Sequence, residues 1–332
     1  MEMMKFGNTG MDVSRICLGA MSFGDPEKWT HEWVLKEEDS RKIIKKALDM
    51  GINFFDTANI YSRGESEKIL GKALNDYADR EKIVVASKVY FGLEDGPNMS
   101  GLSRKSIFHH IDQTLERLGM DYLDLYIIHR WDYTTPIEET MEALHDLVKS
   151  GKVRYIGASA MYAWQFQKAQ NVAEKHGWTK FVSMQNHYNM IYREDERELI
   201  PFCKETGVAL TPYSPLASGR LARDWSETTK RSETDAVQKM KYGSTEEEDK
   251  KIVKRLAEIA EKRQVPRAQI ALAWMLHKDQ VVSPIIGATK EKYLDDAVAA
   301  VDIALSKEEI DYLEELYVPH TIVGALPYPA EK

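Results

Sequence analysis

Asp56, Tyr61, Lys88 and His129 are the residues of this chain whose types and spacing suit proton chemistry. Asp56 ends the apolar run NFFDTA (53–58), and Tyr61 follows in FFDTANIYS (54–62). Lys88 lies inside IVVASKV (83–89), and His129 closes LDLYIIH (123–129). A lysine within an apolar strand is rare unless paired, and Asp56 is its obvious partner. A free phenol has a pKa near ~10, too high for an effective acid or base at neutral pH. An ammonium about 4 Å away, at an effective dielectric near 20, is worth on the order of 4 kcal/mol. That bounds the lowering of the phenol's pKa at roughly three pH units, before desolvation is subtracted. Lys88 is therefore expected to draw Tyr61 toward neutrality, where general acid–base catalysis works best. Asp56 would hold Lys88 charged and aimed, and His129 would donate a hydrogen bond to a carbonyl oxygen. Together the four would protonate an oxygen as negative charge develops on it. Singly, His129 reads equally well as a satisfied core histidine and Tyr61 as a packing residue. The convergence is what carries weight.

Positioning them requires neighbouring strands that end at one rim. Short apolar runs at RICLGAM (15–21), 53–58, 83–89, 123–129, RYIGAS (154–159), FVSMQNHY (181–188), VALTPYS (208–214) and VVSPIIGA (281–288) alternate with segments of helical period such as 37–51 and 103–119. Gly51, Gly119 and Gly151 read as helix stops. Pro136 fits the first turn of a helix. Runs that are apolar throughout are buried on both faces, and eight of them, each followed by a helix, predict a (β/α)8 TIM barrel. An open doubly wound sheet would put G-x-G-x-x-G after the first strand, where this chain has GAMSFGDP. Before the barrel, residues 3–14 read as a β-hairpin around GNTG; SKEEIDYLEELY reads as a C-terminal helix. Residues 215–248 form a long polar loop after strand 7, of a size usually given to lids or binding loops. The whole, residues 1–332, is expected to be a single domain.

Composition narrows the function. The formal net charge is −8, from 45 Lys+Arg against 53 Asp+Glu, which argues against nucleic acid as a partner. No apolar run approaches the ~18 residues of a membrane span, and the start carries no signal pattern. The cysteines, Cys17 and Cys203, lie far apart without metal-site spacing. No metal site is expected, and the setting is expected to be cytoplasmic.

On these residues the chain resembles the aldo-keto reductase family along nearly its whole length. The matching pieces are LGAMSFG (18–24), DTANIYSRGESEKILGKAL (56–74), ASK (86–88), LDLYIIHR (123–130), GKVRYIGAS (151–159), MQNHYN (184–189), YSPLASGRL (213–221) and PIIGAT (284–289). The long loop is similar to that of bacterial and fungal members near the aryl-alcohol dehydrogenases. The resemblance implies hydride transfer from NADPH, with NADH the lesser choice, to a small-molecule aldehyde or ketone. The family's Asp, Tyr, Lys and His fall on Asp56, Tyr61, Lys88 and His129, with Tyr61 the proton donor; Tyr61, His129 and Trp131 would touch the substrate. Gly19, Ala20, Met21 and Asp56 would lie along the cofactor. Tyr213 would stack on the nicotinamide, and Gln185 and Ser159 would hold its carboxamide. Ser214, Pro215, Leu216, Gly219 and Arg220 would follow the pyrophosphate, and Gly287, Thr289, Lys290 and Tyr293 the adenosine phosphate. The chain departs from the family pattern at Ser159-Ala160, where Ser-Asn is usual, at Tyr293, and at Asp296-Ala297. Further aromatic candidates for the pocket are Trp29, Trp33, Tyr90, Phe91, Tyr133 and Trp225.

Two other readings stay open at this point. One is an NADP-binding regulatory subunit acting through a partner protein, as some family relatives do. The other is a Schiff-base aldolase with Lys88 as nucleophile, which a charged Lys88 beside Asp56 opposes. The oligomeric state is not legible.

Overall fold

Strands buried on both faces must close on themselves or be covered, and here they close. The computed structural model describes residues 1–29, 31–225, 227, 234, 241–242 and 245–327; most of the middle of the long loop at 215–248 lies outside the described residues. The hairpin expected at 3–14 is present as β1 (Met3–Lys5) and β2 (Asp12–Ser14), antiparallel with Met3 opposite Ser14. Eight parallel strands follow: β3 (Cys17–Gly19), β4 (Phe54–Asp56), β5 (Val84–Val89), β6 (Leu123–Ile128), β7 (Val153–Ser159), β8 (Ser183–Gln185), β9 (Ala209–Leu210) and β10 (Ile285–Gly287). They pair in chain order from β3 to β9, with β10 on the other side of β3. Between β9 and β10 the ring closes through Leu210 N–H to the Gln280 carbonyl (3.2 Å), Val282 N–H to the Leu210 carbonyl (2.9 Å) and Ile285 N–H to the Pro212 carbonyl (2.9 Å). This is the expected (β/α)8 barrel.

Several strands are shorter than their apolar runs. The run 208–214 keeps only Ala209–Leu210 as strand, yet its backbone pairing continues through Thr211 N–H to Met184 and Tyr213 N–H to Asn186. The chain bends away from the regular ladder at the rim, where the site residues are.

Side chains alternate along a strand with period two. Phe54, Ala86, Leu125 and Ile127 belong to the cluster that fills the barrel, whereas Phe55, Val85, Tyr126 and Ile128 pack outward under the helices. The same parity sends Asp56, Lys88 and His129 inward at the upper end. At the lower end the hairpin forms a floor: Phe6 meets Phe54 edge-on at 5.6 Å, and Asn8 Nδ2 donates to the Thr206 carbonyl at 2.9 Å.

The helices follow their capping signals. Ser103 caps Arg104–Leu118 by accepting the Ser106 N–H, and Gly119 closes it in the left-handed region at φ 63°. Pro136 stands one residue before Ile137–Lys149 rather than in its first turn. The acidic run Glu246–Asp249 opens Glu246–Arg263, where negative charge meets the positive end of the helix dipole. In Glu65–Tyr77, Gly71 lies so close to the neighbouring helix that a Cβ there would be 2.2 Å from the Leu118 carbonyl oxygen. The C-terminal helix is Lys307–Glu314, begun by a capping box of Ser306 and Glu309. Among the described residues no helix is long and apolar enough to cross a membrane.

Candidate active site

Lys88 organises the upper end of the barrel. It is fully buried, and its ammonium donates to Asp56 Oδ2 at 2.6 Å, to the Thr57 carbonyl at 2.8 Å and to the Tyr61 hydroxyl at 3.2 Å. All three of its N–H donors are thereby used. Asp56 is held from the other side by Gln185 Nε2 at 2.9 Å. Tyr61 is brought back over the strands by a turn through Ser62, Arg63 and Gly64, all at positive φ (48°, 52° and 89°). Non-glycine residues rarely adopt that conformation without outside support. Here Ser62 Oγ supplies it, accepting from Asp25 N–H at 2.8 Å and donating to its carbonyl at 3.1 Å. His129 sits edge-on to Tyr61 at 6.0 Å, and its backbone N–H donates to the Val89 carbonyl at 2.8 Å. The structure thus gathers all four proton-carrying side chains at one rim.

A second buried charge supports the first. Glu67, wholly enclosed, accepts from Ser87 Oγ (2.5 Å), Thr114 Oγ1 (3.0 Å) and Arg117 Nε (2.6 Å). Ser87 is the outward-facing neighbour of Lys88, so this network pins β5 to two helices just where the lysine leaves it.

The electrostatics depart from the sequence expectation at one point. Burial raises the Tyr61 hydroxyl above the usual phenol value, and the nearby Lys88 only works against that rise. Lys88 therefore does not bring Tyr61 toward neutrality; desolvation of a phenolate in this setting outweighs one ammonium already shared with Asp56. For Lys88, burial acts to lower the pKa, but the charges of Asp56 and Tyr61 prevail and raise it. His129 is held well below the ordinary histidine range by burial, then by the positive charges of Arg130 and Lys88. The resulting set is a protonated phenol, a charged lysine and a neutral imidazole. Its Nδ1 is buried without a partner among the described residues.

Beside this group the backbone is shaped for an anion. Ser214, Ala217, Ser218 and Gly219 all have positive φ (57°, 48°, 57° and 96°), and successive amides in such conformations form concave nests. Arg220 follows, with Nε and Nη1 buried and without a partner among the described residues, Nη2 3.8 Å from Glu246, and its guanidinium 4.3 Å from the Trp225 ring. Pro215 is buried and Leu216 half-buried in the same turn. Tyr213 stacks on His187 (5.2 Å, 11° between planes), which stacks in turn on Tyr192 (4.2 Å). Ser159 Oγ donates to the Gln185 carbonyl at 2.9 Å. Ala160, in place of the family's Asn, is buried at φ 49° with its N–H on the same carbonyl. Gly19 pairs with Asp56 on one side and Gly287 on the other, so the Gly19–Ala20–Met21 turn joins the tetrad to the end of β10. Beyond it, Thr289 is half-buried, while Lys290 and Tyr293 are exposed at the start of Glu291–Ala299. A backbone nest followed by Arg220, whose Nε and Nη1 lack partners among the described residues, could hold an anionic group of a cofactor.

Trp131 is buried with its ring 6.0 Å from that of Trp164 on an outer helix. Besides Tyr61, the aromatic ring against His129 is Phe91, at 5.2 Å, its carbonyl held by Asn59 Nδ2 at 2.8 Å. Residues that the sequence analysis did not single out are Arg130, next to His129, and Tyr242, whose hydroxyl shares a hydrogen bond with His187 Nε2 at 2.7 Å and accepts from Asn189 Nδ2 at 3.0 Å. Arg130 had a signal, a charge directly after a barrel strand. Tyr242 had none, lying deep in a polar loop.

Comparison with known proteins agrees with this geometry. The profile described as "Aldo/keto reductase family" matches residues 15–318. Versiconal hemiacetal acetate reductase of Aspergillus parasiticus is 46% identical, over 97% of this chain and 98% of that protein. An aldo-keto reductase of Fusarium vanettenii is 47% identical, over 96% and 91%. A Schizosaccharomyces pombe protein bearing an aryl-alcohol dehydrogenase name is 47% identical, over 96% and 97%.

Proposed function

The chain belongs to the aldo/keto reductase family, and from that premise we propose that it reduces an aldehyde or ketone to an alcohol with NADPH as hydride donor and Tyr61 as proton donor. The observation that carries this reading is the threefold engagement of Lys88 with Asp56, the Thr57 carbonyl and the Tyr61 hydroxyl. Reduced nicotinamide, when bound, supplies the hydride. The chain's own residues manage the oxygen and its proton. Neutral His129 donates a hydrogen bond that orients the carbonyl oxygen toward Tyr61. As charge builds on that oxygen, Tyr61 passes its proton across, and the positive Lys88 stabilises the phenolate left behind. Asp56 keeps Lys88 charged and pointed at the phenol. A phenol whose resting pKa is raised by burial holds its proton until the reaction draws it off.

Tyr213, with Gln185 and Ser159, would frame the nicotinamide; Ser214, Pro215, Leu216, Gly219 and Arg220 the pyrophosphate; and Gly19, Ala20, Met21, Gly287, Thr289, Lys290 and Tyr293 the remainder. Lys290 is the cation available for a 2′-phosphate, which favours NADPH over NADH. Trp131 would contribute on the substrate side. Two distant free thiols, Cys17 and Cys203, suit a reducing cytoplasm. Parallel titrations with NADPH and NADH, then a panel of aromatic aldehydes, test the proposal. Tyr61→Phe should abolish turnover and keep dinucleotide affinity. Undiminished turnover in that variant, or no turnover by the native chain across the panel, refutes it.

A further inference from the structure

Arg130 stands at the mouth of the tetrad with no ion-pair partner among the described residues. Its only hydrogen bond among the described residues runs from Nη1 to the carbonyl of its neighbour His129, at 2.6 Å. Its guanidinium lies 5.7 Å from the centre of the Phe91 ring, and that ring is 5.2 Å from His129. Its positive charge acts on Tyr61, His129, Tyr90 and Tyr213 alike, which places it among the rings that surround the reacting position. The acidic residue nearest in sequence, Asp132, spends its carboxylate on other donors, though its charge also reaches Tyr90: it accepts from Leu102 N–H (2.8 Å), Thr134 Oγ1 (2.7 Å) and Thr135 Oγ1 (2.8 Å). Lys88 is matched by Asp56, whereas Arg130 has no carboxylate within ion-pair distance among the described residues, on a chain whose net charge is −8.

A guanidinium steadied on a ring face, with one edge tied to the backbone, keeps other N–H donors for a planar anion. We infer that Arg130 is a specificity-determining residue and that the preferred substrates are aldehydes or ketones bearing a carboxylate, which it binds while His129 and Tyr61 engage the carbonyl oxygen. This rests on the carbonyl-reductase reading and adds the charge of the substrate to it.

The test compares 4-carboxybenzaldehyde with its methyl ester, which shares the ring and the reacting aldehyde. With NADPH, the native chain should show a kcat/KM for the carboxylate about tenfold or more above the ester, expressed mainly in KM and shrinking as salt is raised. Arg130→Gln should collapse the ratio toward one, and Arg130→Lys, which keeps the charge but not the planar fork, should retain part of it. A native ratio near one, or an equal fall with both aldehydes in Arg130→Gln, overturns the inference and leaves carbonyl reduction standing. A weakened Kd for NADPH in that variant, with the ratio intact, reassigns Arg130 to the cofactor and also overturns it. Turnover of neither aldehyde by the native chain removes the parent reading and this one with it.

Discussion

Replacing Lys88 by methionine separates the structural from the chemical work of the buried pair. Methionine is of similar length and fills the space, but it deprives three acceptors of their donor. The severe effect falls on Asp56, 2% exposed, whose remaining side-chain partner is Gln185. Breaking a buried ion pair from one side typically costs about 3–5 kcal/mol, because a charge is stranded. Removing both charges, in Asp56→Asn with Lys88→Met, should cost only about 1–2 kcal/mol, the scale of lost hydrogen bonds. Adding Asp56→Asn to Lys88→Met should therefore recover about 2–3 kcal/mol of the lost stability. Chemistry should not recover with stability. The phenol loses a cation 3.2 Å away, an interaction worth at most about 5 kcal/mol at an effective dielectric of 20. Turnover should fall by roughly a thousandfold or more in the single and the double variant alike. Urea unfolding followed by tryptophan fluorescence, beside aldehyde reduction, reads both quantities. A double variant no more stable than Lys88→Met, or a Lys88→Met protein retaining a tenth of native turnover, would show that the pair does not work as described.

Gly71→Ala should destabilise by about 1–3 kcal/mol through its clash with the Leu118 carbonyl, against a helix-propensity gain of only ~1 kcal/mol; thermal unfolding gives the sign. Gln264→Gly should do the reverse, adding about 0.5–1 kcal/mol, since exposed Gln264 closes Glu246–Arg263 at φ 56°. Asp195, which accepts from Asn186 Nδ2 at 3.0 Å, is raised by burial to about 7. A carboxyl raised on folding contributes stability that is complete below its unfolded value, ~3.9, and is lost as pH climbs through the folded value. Asp195→Asn should therefore be more stable than the native chain at pH ~8, with that advantage gone by pH ~4; urea midpoints at the two pH values that differ by the same amount refute this.

Much of the site was legible because strand parity is local information. Phe54 and Asp56, or Ala86 and Lys88, share a face whatever the loops do, and a lysine in such a run demands a carboxylate. The turn through Ser218 and Gly219 was legible as a glycine beside an arginine. What escaped depends on three-dimensional balance. Whether Tyr61 is raised or lowered is decided by how deeply the phenol is enclosed, which no spacing reports. Phe91, and not Trp131, meets His129 because of where the β5 loop travels after Asn59 takes its carbonyl. Ala160 keeps a left-handed backbone without the Asn that would favour it, so the bend is imposed by its hydrogen bond to Gln185 rather than by its own preference.

The hairpin at the foot of the barrel turns the interior into a cul-de-sac. With Phe6 wedged beneath Phe54 and Ala86, Leu125 and Ile127 filling the space above, the buried Lys88–Asp56 pair is closed off from solvent on the floor side. A dozen residues remote from that pair thus help to keep it dry.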